Sequence, residues 1–133
     1  MGFLTKLGSL LGRKEQAPSV SNSEVAEAVN KWEASRGYLL PESNASDVAK
    51  RMGITSAQLF RYCLKVKGED FRTWRTHLSL EEAKTQLLME PDTPASVIAR
   101  RVGINDRSNF SRLFREYTGM LPSLWREKNL KKK

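Results

Sequence analysis

Two stretches of this chain are near copies of each other. Residues 51–75 read RMGITSAQLFRYCLKVKGEDFRTWR, and residues 101–125 read RVGINDRSNFSRLFREYTGMLPSLW. With Gly53 laid on Gly103 the offset is 50, so Ala49 meets Ala99, Arg51 meets Arg101 and Ile54 meets Ile104. One inserted residue moves the offset to 51. After it Leu59 meets Phe110, Arg61 meets Arg112, Gly68 meets Gly119, Trp74 meets Trp125 and Arg75 meets Arg126. Each copy reads as a short helix, a glycine turn and a longer helix with an outward arginine, which is the pattern of a helix-turn-helix. A duplication of this size in 133 residues leaves room for the two copies and little more.

The flanking segments follow helical periodicity, and no stretch alternates as a strand does, so the expected fold class is all-α: two helix-turn-helix subdomains joined by a long linker helix. Val25, Ala28, Val29 and Trp32 form one stripe behind an expected N-cap at Ser23, and Gly37 ends that helix. YLLPESNAS reads as a loop, and Ser46 is the expected cap of a short helix that buries Val48, Ala49 and Met52. Thr55 with Gln58 three residues on makes a capping box for the next helix, whose expected buried face is Leu59, Tyr62, Cys63 and Val66. A linker helix follows from about Glu69 to Met89. Its apolar stripe shifts from Phe71, Trp74 and Leu78 to Leu80, Ala83, Leu87 and Leu88, as though its ends served two cores. EPDTP stops it, and Pro94 is expected at the first position of a helix burying Val97, Ile98 and Val102. The last recognition-like helix, about Arg107 to Thr118, buries Phe110, Leu113, Phe114 and Tyr117. The expected organisation is thus a tail and linker over 1–22 and a two-unit helix-turn-helix domain over 23–133. Within that domain the first unit spans about 46–67, the linker helix about 69–89 and the second unit about 94–118.

Charge is placed unevenly. Residues 1–45 are neutral, residues 46–90 carry +2, and residues 91–133 carry +6 of the total +8. The excess sits with the repeat and suits a polyanion or a solvated face; the charge alone leaves both open. One cysteine, Cys63, excludes an intrachain disulfide and a Cys-rich metal site, and fits a reducing cytoplasm. A lone His77 on the linker helix, with no glycine-rich phosphate loop and no paired histidines, argues against an enzyme and implies no cofactor. At the N-terminus Phe3, Leu4, Leu7, Leu10 and Leu11 recur at helical spacing among Lys6, Arg13 and Lys14. Membrane contact, partner contact and a frayed tail all remain open for it.

Subtracting each buried stripe exposes the reading faces. On the first long helix Ala57, Gln58, Phe60, Arg61 and Leu64 point out. On the second Arg107, Ser108, Asn109, Ser111, Arg112 and Arg115 do, with Glu116 the first carboxylate. The second set matches base-edge chemistry, arginine to guanine O6 and N7 and asparagine to adenine N6 and N7. The first set is poorer in donors, and Ala57, Phe60 and Leu64 suit thymine methyls or a packing neighbour equally. Two such helices ~34 Å apart would enter successive major-groove segments of double-stranded DNA.

Over residues 40–128 the chain resembles the DNA-binding domain of AraC/XylS-type bacterial transcription regulators. IARRVGINDRSNFSRLFREYTGMLPSLWR is similar to that family's A-x-x-x-G-[FI], F-S-R-x-F and G-x-x-P-S-x-[YW]-R pattern, and EEAKTQLL resembles its linker-helix motif. The resemblance implies sequence-specific DNA binding through Arg107, Ser108, Asn109 and Arg112 in the second unit and Ala57, Phe60 and Arg61 in the first. It also implies transcription regulation, activation being the expected sense, with RNA polymerase as an expected partner. The first unit departs from the pattern at Thr55–Ser56 and at Cys63–Leu64, and Ser79 stands where the linker often has arginine. No small-molecule sensor domain is evident. The chain therefore reads as a stand-alone regulator or as the C-terminal output domain of a larger sensor-regulator, membrane association being open, with a non-specific nucleic-acid-binding helical protein as the remaining alternative.

Overall fold

The computed structural model describes residues 21–40 and 44–131. Seven α-helices and no strands are found among them: α1 (Asn22–Ala34), α2 (Ala45–Met52), α3 (Ser56–Tyr62), α4 (Phe71–Met89), α5 (Ala95–Arg101), α6 (Arg107–Thr118) and α7 (Pro122–Lys131). The apolar pattern of residues 3–11 lies outside the described residues.

The helix starts show how the caps were chosen. Ser21 caps α1, accepting from the Glu24 amide at 3.2 Å while its own amide donates to the Glu24 carboxylate at 2.9 Å. The expected cap, Ser23, would have placed Ala26 at the reciprocating position, where no acceptor exists. Likewise Asn44, and not Ser46, caps α2 by accepting from the Asp47 amide at 2.8 Å. Asp70 caps α4 through the Thr73 amide at 2.8 Å, so the linker helix begins at Phe71 and not at Glu69. Pro94 is the cap residue of α5 and not its first residue, because the Thr93 hydroxyl is drawn to the Glu90 carboxylate at 3.0 Å. Thr55 and Gln58 form the expected capping box on α3, with bonds of 3.0 and 2.9 Å.

Two cores form, one per unit. Val25, Val29, Trp32, Val48, Ala49, Ile54, Leu59, Cys63, Phe71 and Trp74 make the first, and Leu80, Ala83, Leu87, Ile98, Ala99, Val102, Phe110 and Phe114 make the second. Helix α4 supplies both: Phe71 and Trp74 pack at its start, Leu80, Ala83 and Leu87 toward its end, as the shifting stripe implied. Leu88 is only half-buried. Burial pushes the Cys63 thiol up to about 11, and the side chain is a packed core residue, not a nucleophile.

Val66 corrects the expected face of α3. It is 55% exposed, because after Tyr62 the backbone widens into a π-turn over Cys63–Lys67. The i→i+5 turn delays the face by about one residue. Lys67 takes the inward position instead, its ammonium 4.8 Å over the Trp74 ring and 3.6 Å from Glu33.

The repeat extends to a contact that periodicity does not show. Arg75 donates to the carbonyl of Leu40, just ahead of α2. Its counterpart Arg126 donates to the carbonyls of Leu87, Glu90 and Thr93, just ahead of α5. Leu40 and Glu90 stand 50 apart, and Arg75 and Arg126 stand 51 apart, so the clip is duplicated with the rest. The neighbouring Trp74 is buried and Trp125 half-buried, edge-on to Phe114 at 5.6 Å.

Candidate nucleic-acid interface

Each unit holds its second helix by a turn through a left-handed glycine, Gly53 (φ 81°) and Gly103 (φ 87°). Only glycine enters that region without strain. The residue inserted in the second copy is Asn105, which lengthens the turn by one before the cap: Thr55 caps α3, and Asp106 caps α6 by accepting from the Ser108 and Asn109 amides at 2.9 and 3.3 Å. Both second helices end on a left-handed glycine, Gly68 and Gly119. The α3 and π-turn segments together cover the same twelve residues as α6.

On α6 the buried stripe is Phe110 and Phe114, with Leu113 and Tyr117 half-buried beside it. Arg107, Ser108, Arg112 and Arg115 are exposed, and Asn109 and Ser111 are half-buried at the flank. The arginine central to this face is already engaged within the helix. Arg112 Nη2 donates to Asn109 Oδ1, and its Nη1 lies 3.1 Å from Glu116 Oε2. An exposed pair of this kind contributes roughly 0–1 kcal/mol, so the guanidinium can exchange this partner for another. Glu116 thus reaches the exposed face of α6 from one turn away and pairs with the guanidinium.

On α3 Ser56, Ala57, Phe60 and Arg61 are exposed, and on the π-turn that continues it Leu64, Lys65 and Val66 are, with Phe60 at 53% and Leu64 at 46% exposure. Gln58 is half-buried, and its carbonyl oxygen accepts from the Thr55 amide, so one end of this side chain serves the cap. This segment therefore offers one guanidinium, the Ser56 hydroxyl at its start and the Lys65 ammonium near its end, around an apolar strip of Ala57, Phe60 and Leu64. Between the units a cleft of about 400 Å3 is walled by Tyr38, Arg72, Arg75, Asn105 and Asn109, which brings Arg72 and Arg75 of the linker helix beside the start of α6. Neither Arg72 nor Asn105 was singled out by the sequence; both lie in segments whose periodicity reports helix and turn, not proximity to α6. Among the described residues no group of three His, Cys, Asp or Glu side chains is placed to hold a metal. No helix among them is long and apolar enough to cross a membrane.

A family profile described as a helix-turn-helix domain, of AraC type, matches residues 48–128. The chain belongs to the AraC-type helix-turn-helix family. Its members are transcription regulators whose domains of this type bind double-stranded DNA, and family and fold are of a kind that is generally not enzymatic. A transcriptional regulatory protein of Bacillus subtilis, YesN, is 39% identical over 62 residues, which are 46% of this chain and 17% of that protein. The chain thus spans about a sixth of that relative's length. The C-terminal domain of AraT, a response regulator from Geobacillus stearothermophilus, superposes with a TM-score of 0.70 at 24% identity, covering 79% of this chain and 84% of that one. The DNA-binding domain of AdpA, solved with a target DNA, superposes at 0.71 and 18% identity over 83% of this chain and 96% of that one. At these identities the two structures show the shared fold.

Proposed function

We propose that this AraC-type domain reads an extended, non-palindromic site as a single chain, with α3 and α6 in successive major-groove segments. The observation that carries the reading is the contrast behind α6. A fully buried Phe110–Phe114 stripe fixes the helix, and Arg107, Ser108, Asn109, Ser111, Arg112 and Arg115 lie along its outer side and flank. Arg112 and Asn109 carry most of the base discrimination, and Arg107 and Arg115 add base or phosphate contacts. In the first unit Arg61 is the polar contact, Gln58 assists it, and Ala57 and Phe60 meet apolar base edges. Selection of bound duplexes from a random pool tests this. The expected result is a bipartite motif with higher information in one half; a motif confined to one half would remove α3 from the reading.

The expected output is activation by recruitment of RNA polymerase. In vitro transcription from a promoter bearing the selected site should rise on addition of the protein, and an unchanged yield at saturating occupancy rejects it. Similarity to the C-terminal domains of response regulators favours a second setting, in which this domain is the output end of a longer sensor-regulator. An immunoblot of the native polypeptide against the 133-residue chain separates the two settings.

A further inference from the structure

Residues Arg36–Leu40, which follow α1, pass between the two units and touch both. Arg36 takes a left-handed conformation (φ 62°, ψ 36°), and a single 3-10 turn over Gly37–Leu39 follows. The Tyr38 ring packs with the first core, edge-on to Trp32 at 6.1 Å, while the next residue, Leu39, packs against the second core. The backbone is tied down at each step. Ser79, a buried hydroxyl at the middle of α4, donates to the Tyr38 carbonyl at 3.3 Å, Arg75 donates to the Leu40 carbonyl, and Arg36 pairs with Glu82. The linker-helix position where the family pattern often has arginine is thus a serine, Ser79, that holds this strap.

The strap also meets the turn of the second unit. A Cβ on Gly103 would lie 2.9 Å from the Leu39 carbonyl oxygen and 3.4 Å from that of Tyr38. At the matching position in the first unit, Gly53, a Cβ would meet nothing within 4 Å. The two glycines share their left-handed backbone, so only one of them also makes room for a neighbouring chain segment. A non-glycine residue held left-handed, as Arg36 is, persists where its surroundings over-determine it.

We propose that the strap Arg36–Leu40, which precedes the residues matched by the family, fixes the distance between α3 and α6 and so sets the half-site spacing that this chain accepts. The proposal rests on the two-helix reading above. A rigid wedge between the units leaves one separation at which both helices can engage, and a missed separation loses the second engagement with its effective-concentration gain. Arg36, Tyr38, Leu39 and Ser79 are positioning residues: they act through the helices and touch no DNA.

The test uses the full chain and the duplex recovered from pool selection, with base pairs added to or removed from between its half-sites, and fluorescence anisotropy as the readout. Wild type should show one preferred spacing, with affinity falling by about tenfold or more at one base pair either side. Leu39→Ala and Glu82→Gln should flatten or shift that profile while binding to an isolated second half-site stays the same, and Gly103→Ala should flatten or shift the profile as well. Gly53→Ala, with the same backbone strain and no wedge to displace, should keep the wild-type optimum. If Gly103→Ala does not fold, Leu39→Ala and Glu82→Gln decide. An unchanged profile in the folded variants overturns the role of the strap alone. Wild-type binding indifferent to the second half-site overturns the two-helix reading, and the strap proposal with it.

Discussion

Helices α3 and α6 begin on a capped turn after a left-handed glycine, end on another, and are backed by separate aromatic cores. Their outer faces nevertheless differ in kind. On α6 three exposed arginines accompany serine and asparagine; on α3 one arginine stands among Ala57, Phe60 and Leu64. The helices differ inside as well, since α3 relaxes into a π-turn where α6 stays regular. Scaffold and outer face are therefore separable in this fold. Caps, glycine turns, core positions and the Trp–Arg clip are repeated because each unit needs them to stand. The exposed face is free to diverge because it supports nothing.

That separation can be broken at several points. Phe114→Ala should be the most damaging, removing a fully buried ring from the second core at a cost of about 3–5 kcal/mol. Urea unfolding followed by tryptophan fluorescence measures it, and a loss below about 1 kcal/mol would mean that α6 does not depend on that core. Arg112→Ala should leave stability within about 0.5 kcal/mol but weaken the selected site by about 1–3 kcal/mol and relax one base position. If instead all duplexes weaken equally, Arg112 is a phosphate contact. Arg61→Ala should cost less at the same site, and an equal cost would abolish the ranking of the two units.

Tyr117→Phe tests the inner side of α6. The Tyr117 hydroxyl donates to Glu81 of α4 at 2.6 Å, and its ring stacks on His77 at 4.6 Å. Losing the hydroxyl should cost about 1 kcal/mol. The pair also makes stability depend on pH. The Tyr117 hydrogen bond is the main influence lowering the Glu81 pKa from 4.5. A lowered carboxyl contributes stability that is present above pH 4.5 and lost as pH falls through the folded value. Burial, then the same bond, pushes the Tyr117 phenol up to about 12, so its contribution holds below pH ~10 and fades as pH rises toward that value. Thermal melts across pH should show both limbs weakened in Tyr117→Phe, and identical profiles would assign the bond no role. Phe60→Ala should have the smallest effect on folding, within about 0.5 kcal/mol, since the ring is half-exposed. If it lowers preference for thymine at one position of the first half-site, the apolar face of α3 reads DNA; if DNA binding is untouched, that face is a packing surface.

The placement of the two second helices and of their outer faces was legible before any coordinates. The repeat placed α3 and α6, and subtracting the apolar stripe left Arg107, Ser108, Arg112 and Arg115 on the outside, where they are found. Asn109 and Ser111 proved half-buried, because they border the stripe and lie close to neighbouring elements. Val66 was misplaced because periodicity assumes a constant 3.6 residues per turn, and the π-turn breaks it. The caps at Ser21, Asn44 and Asp70 were missed or shifted since several polar residues competed at each start, and the choice rests on which one finds a partner three residues on.

The sequence by itself determined that there are two helix-turn-helix units, where each turns, and which helix carries the richer donor set, because these depend on local periodicity, glycine conformation and side-chain chemistry. Only the tertiary structure decided how the units are held together. The loop residues Tyr38 and Leu39 divide between two cores, Ser79 binds a carbonyl 41 residues away, and Gly103 is empty-sided for a neighbour that Gly53 lacks. Such contacts join residues distant in sequence through backbone carbonyls, which carry no residue identity, and so leave no pattern along the chain.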